Sequence, residues 1–101
     1  MVTIKTINDF ESLIQNEKVL VEFTAEWSTP CKMLDTTIEE LEKEHAEVTY
    51  VKVDSDRFRN IARDYKVVSV PVVCLFSKGE LINQRSGLMR KEELLELIQQ
   101  F

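Results

Sequence analysis

A chain of 101 residues with a hydrophobic fraction of 44% is one domain, 1–101, with room for a single core. Its net charge of −5 argues against a nucleic-acid-binding surface, and no apolar run is long enough to span a bilayer. Two cysteines are too few for a disulfide scaffold, and Met1-Val2-Thr3-Ile4-Lys5 lacks the basic-then-apolar order of a leader, so a cytoplasmic protein with reduced thiols is expected.

Val2-Thr3-Ile4-Lys5 alternates and is β-branched, which predicts a short strand. Asn8 with Glu11 three residues on reads as a capping box for a short helix that ends near Asn16 and turns Phe10, Leu13 and Ile14 inward. Val19-Leu20-Val21-Glu22-Phe23-Thr24 is nearly continuous in apolar residues, the pattern of a strand buried on both faces. Glu22 interrupts it and is expected to be buried with the rest. A long helix runs from the following turn to about Ala46, with Leu34, Ile38, Leu41 and His45 on one face and Glu39, Glu40, Glu42, Lys43 and Glu44 mostly in solvent.

Val48 to Asp54 is a third strand, and Asp56 is expected to cap a short helix that turns Phe58, Ile61, Ala62 and Tyr65 inward. Pro71 opens the strand Val72-Val73-Cys74-Leu75-Phe76, because a proline cannot donate to a central ladder. Lys78-Gly79 turns the chain into a hairpin partner, Glu80 to Arg85, and Gly87 leads out of it. A last helix, Arg90 to Phe101, buries Leu94, Leu95, Ile98 and Phe101. The order β-α-β-α-β-α-β-β-α predicts an α/β fold, a central mixed sheet flanked by four helices. With Gly79 and Gly87 as the only glycines, neither a phosphate loop nor a dinucleotide fingerprint can be built, so no cofactor is expected. No metal site is expected: His45 has no paired ligand, and Asp54 and Asp56 lack the remainder of a calcium loop.

The chemistry concentrates at Trp27-Ser28-Thr29-Pro30-Cys31-Lys32, between the buried strand and the long helix. A helix N-terminus presents unpaired N–H groups and partial positive charge, which lowers the pKa of a thiol placed there. Two thiols at C-x-x-C spacing on such a turn attack a disulfide and then close on each other. Here only the second position, Cys31, carries sulfur; the first is Ser28. Pro30 is tolerated in the first helical turn.

These residues, with Glu22-Phe23-Thr24-Ala25-Glu26-Trp27 before them, Lys32-Met33, Lys52-Val53-Asp54, Val70-Pro71, Lys78-Gly79-Glu80 and Gly87, resemble the thioredoxin family over essentially the whole chain. The resemblance implies the thioredoxin fold, a cis peptide bond at Val70-Pro71 and protein disulfide or dithiol substrates. It also implies a thioredoxin reductase as partner and a monomer. It makes Ser28 the position of the nucleophilic cysteine and Cys31 the resolving thiol. Glu22 becomes the buried proton acceptor that is usually Asp, with Lys52 as its partner. Trp27, Thr29, Pro30, Val70, Pro71 and Gly87 form the substrate-binding rim, with an extended peptide pairing to the Val70 backbone.

Ser28-Thr29-Pro30-Cys31 departs from the family's Cys-Gly-Pro-Cys. A serine hydroxyl stays protonated at neutral pH and forms no disulfide. Thr24 and Thr36 stand where many members have Trp and Pro, so the long helix is expected to run without a kink. Cys74 is expected to pack as a small hydrophobe. Two readings stand at this point. One is a thioredoxin-type thiol–disulfide oxidoreductase disabled at its nucleophile. The other is a natural redox-inactive, chaperone-like binding module.

Overall fold

The computed structural model describes residues 1–101, and the apolar run Val19–Thr24 is its central strand, buried at every position. The elements in chain order are β1 (Val2–Thr3), α1 (Ile7–Leu13), β2 (Val19–Thr24), α2 (Thr29–Glu44), β3 (Thr49–Asp54), α3 (Arg59–Asp64), β4 (Val72–Ser77), β5 (Glu80–Ser86) and α4 (Lys91–Ile98). The sheet order is β1-β3-β2-β4-β5. β1, β3 and β2 run parallel, while β4 is antiparallel to β2 and β5 to β4. The sheet is therefore mixed, and β2 lies at its centre with helices over both faces.

Because side chains alternate along a strand, the sheet divides the core in two. Val19, Val21, Phe23, Val51, Val53, Val72, Cys74 and Phe76 pack with α1 and α3. Leu20, Tyr50, Val73 and Leu75 pack with α2 and α4 through Leu34, Ile38, Leu41, Leu94 and Leu97. On the first face Phe10, Tyr65 and Phe76 stack tilted or edge-on at 5.3–5.9 Å, the favoured aromatic geometries. Glu22 shares the second face with Leu20, under α2.

The ends of the helices differ from the sequence reading in three places. Thr6, not Asn8, caps α1: its hydroxyl accepts from Asp9 N at 3.1 Å, and the Asp9 carboxylate accepts from Thr6 N at 3.0 Å. Asp56 does not cap α3. The Asp54 carboxylate accepts from the amides of Asp56 and Arg57 instead, and Phe58 stands at the cap position with no side-chain bond. Leu97 joins Leu94 and Ile98 in the buried stripe of α4, and Leu95 and Phe101 are half-buried. α2 runs unbroken from Thr29 to Glu44, and Thr36 donates back to Lys32 O at 3.4 Å. His45 ends it half-exposed, with Nδ1 3.1 Å from Glu47 Oε1. The cap assignment is checked by denaturation. Thr6→Ala is expected to cost about 1 kcal/mol in a urea titration, and Asn8→Ala less than about 0.5 kcal/mol.

Candidate functional site

β2 delivers the chain to the N-terminus of α2 at the centre of the molecule, and the six residues Trp27–Lys32 make that turn. Ser28 is the N-cap, with extended backbone, and its Oγ accepts from Cys31 N at 3.2 Å. Thr29 and Pro30 occupy the first two helical positions, where a missing N–H costs nothing. The resemblance puts Ser28 where an exposed nucleophile would be, yet the residue is only 3% exposed. Its hydroxyl is turned inward because it satisfies one of the amides that the first helical turn leaves unpaired. Cys31 is fully buried. Thr29, Pro30 and Lys32 are exposed around it, and Trp27 is 72% exposed with its indole Nε1 donating to Asp56 Oδ2 at 2.8 Å.

A second segment carries the rest of the predicted rim. The Val70–Pro71 peptide bond is cis. Pro71 is buried, and its carbonyl accepts from Gly87 N at 2.9 Å. Gly87 adopts φ 93°, a left-handed backbone that favours glycine. Val70 is half-buried, and neither its N–H nor its carbonyl is used in a backbone hydrogen bond within the chain. Val70 and Trp27 line one open groove of about 490 Å³, together with Ala25, Ser55, Asp56 and residues of and after α3. Thr29, Pro30 and Gly87 do not line that groove, so the predicted rim divides: part lies in the groove and part flanks the turn.

Behind the turn lies a buried charge cluster. Glu22 is fully buried, and neither carboxyl oxygen has a hydrogen-bond partner. Burial, reinforced by the neighbouring Asp35, pushes its pKa up to about 10. Lys52 stands directly across from Glu22 in the parallel register of β2 and β3, as the sequence reading places it. Its ammonium, however, pairs with Asp35, Nζ to Oδ2 at 2.5 Å, so the direct partner of Lys52 is Asp35 and not Glu22. Burial works against the Lys52 charge, and the Asp35 carboxylate more than offsets it, so the Lys52 pKa is raised. Asp35 Oδ1 is buried without a partner and faces the same charge cluster.

Burial therefore favours the protonated form of Glu22, the direction of shift expected of a buried proton acceptor. Asp35 is the site residue that the sequence reading lacks. The available signal was its place on α2, four residues after Cys31 and so on the same helix face. Asp35, Lys52, Lys32, Thr24, Glu26 and Asp54 line a second cavity of about 510 Å³, which opens on the Asp35–Lys52 pair but not on Glu22. Removing the Asp35 charge in Asp35→Asn frees Lys52 to act on Glu22. The Glu22 midpoint in a carbon-13 carboxyl titration is expected to fall, and an unchanged midpoint would assign the shift to burial alone.

Cys74 lies on β4 and is fully buried; burial alone pushes its thiol up to about 12. It points into the core half under α1 and α3, so the sheet separates it from the α2 face that carries Cys31. Both cysteines are free. No cluster of three His, Cys, Asp or Glu side chains is placed to hold a metal ion. No helix is long and apolar enough to cross a membrane.

A strand-to-helix turn with a cysteine in its first helical turn, on a five-stranded mixed sheet whose fourth strand follows a cis-proline, places the chain among the mixed-sheet α/β proteins. The Thioredoxin family model matches residues 1–100. The thioredoxin of Mycoplasmoides gallisepticum is 40% identical over 86 residues, 85% of this chain and 86% of that one. The thioredoxin of Chlamydia trachomatis is 39% identical over 98 residues, 97% of this chain and 96% of that one. Among solved structures, a thioredoxin from Plasmodium falciparum superposes with a TM-score of 0.92 at 27% identity, covering 100% of this chain and 99% of that one. A thioredoxin from Halobacterium salinarum gives 0.92 at 30% identity, over 99% of this chain and 88% of that one. The chain belongs to the thioredoxin family and has the thioredoxin fold.

Proposed function

We propose that this chain is a thioredoxin-type thiol–disulfide oxidoreductase with its nucleophile position occupied by Ser28, so that it engages disulfide and dithiol proteins without cycling through an internal disulfide at the turn. The observation that carries the reading is that Cys31 is the only sulfur on the turn while the Ser28 hydroxyl caps the helix one turn before it. Cys31 keeps the position of the resolving thiol, with no mixed disulfide at residue 28 for it to attack. Glu22 and Lys52, now with Asp35, tune the charge behind it. Trp27, Thr29, Pro30, Val70, Pro71 and Gly87 receive the partner. A thioredoxin reductase is the expected redox partner, and the family membership supports it. The single domain acts as a monomer, without cofactor. Two unpaired cysteines suit the reducing cytoplasm.

The test is insulin reduction, followed with thioredoxin reductase and NADPH, by the chain and by its Ser28→Cys variant. Turnover by the variant alone is the expected result. Turnover by neither, with a reductase shown to dock, favours the second reading, a redox-inactive chaperone-like binding module. That reading draws on the unused backbone groups of Val70 and the exposed indole of Trp27, which can hold an extended partner without any sulfur.

A further inference from the structure

The groove beside the turn has a charge opposite to that of the molecule. The chain carries 18 acidic residues against 13 Lys and Arg. Yet Arg59, Arg63 and Lys66 line the groove against a single carboxylate, Asp56. That carboxylate already accepts from the Trp27 indole through Oδ2. All three cations are exposed, and none takes part in an ion pair. Arg57, just outside the groove, lies over the Phe58 ring at 5.9 Å and is also free of an acidic partner. The floor and lip are apolar: Trp27, Val67 and Val70 line it, and Val68 is 97% exposed.

We propose that this groove selects an extended acidic segment of a partner protein, with its carboxylates against Arg59, Arg63 and Lys66 and its backbone paired to the unused N–H and carbonyl of Val70. The inference rests on the reading of the turn and the Val70 loop as a partner-docking site, and adds to it the chemistry of the partner. Charge complementarity chooses the occupant. An acidic segment is repelled by the net charge of the chain and attracted by the three groove cations, which favours docking there. An extended protein segment suits the groove better than a free anion. The groove is open and partly apolar, and the unused donor and acceptor of Val70 match a strand-like backbone.

The experiment titrates the chain with two peptides of equal length that differ only in carrying Asp and Glu or Lys at the positions flanking a central apolar core. Binding is followed through the fluorescence of Trp27, the single tryptophan. The acidic peptide is expected to bind about tenfold more tightly, with an advantage that shrinks as salt is raised. In Arg59→Glu/Arg63→Glu the preference is expected to disappear or invert. The salt series on the unaltered chain is a second reading that needs no variant. Equal binding of the two peptides, binding of neither, or a preference untouched by the charge reversal would overturn the proposal. Insulin reduction by Ser28→Cys keeps the two conclusions apart. Reduction without a charge preference rejects the acidic partner and leaves the oxidoreductase reading standing. A charge preference without reduction does the reverse.

Discussion

Glu22→Gln is expected to stabilise the folded chain at pH 7 by about 3 kcal/mol and to raise its thermal midpoint by about 15 °C. The folded-state pKa of Glu22 is about 10, against an ordinary value of 4.5. Between those values the folded chain holds a proton that the unfolded chain has released. Stability then falls as pH rises, by about 1.4 kcal/mol per unit, and the loss begins near the unfolded pKa and stops above the folded one. Glutamine is the neutral isostere. It keeps the buried shape of the protonated acid but cannot ionise in the unfolded chain, so this slope is removed. Urea titrations of both chains from pH 5 to pH 9 check it. Parallel pH profiles would mean that Glu22 is ionised in the folded protein.

Ser28→Cys is expected to raise the rate of insulin reduction by at least about 10³-fold over the unaltered chain. The backbone needs no rearrangement. Residue 28 is already the N-cap of α2, and its side-chain atom is within 3.2 Å of the Cys31 amide. A sulfur there meets that N–H and the positive end of the helix, both of which favour the thiolate. One helical turn on, Cys31 supplies the thiol that closes the disulfide and releases the reduced substrate. The rate should climb with pH as the new thiol ionises. Equal turnover by the unaltered chain would make Cys31 itself the attacking group.

The strands and the long helix were legible because their burial is written in period: β2 is apolar at nearly every position, and Leu34, Ile38 and Leu41 recur on one helical face. The turn was legible because Pro30 and Cys31 fall just where a helix begins. The cap of α1 was not, because Thr6 with Asp9 and Asn8 with Glu11 both fit a capping box, and the choice depends on how Phe10 and Ile14 seat against the sheet. The Asp35–Lys52 pair was not legible either. Those residues are 17 apart and meet only when α2 lies across β3. A carboxylate on a charge-rich helix reads as solvated until that packing is known. The inward turn of Ser28 depends on one amide 3.2 Å away, a detail of backbone geometry that residue type alone does not reveal. The groove cations carry no sequence signal of their own: only the fold sets Arg59, Arg63 and Lys66 beside Trp27 and Val70.

The sheet that separates Cys31 from Cys74 also decides where oxidation can end. A protein whose thiols share a face absorbs an oxidising equivalent and hands it on as a closed pair. Here Cys74 lies in the core half under α1 and α3 while Cys31 is buried on α2, so any disulfide formed by Cys31 joins it to another molecule and is undone only by a thiol from outside.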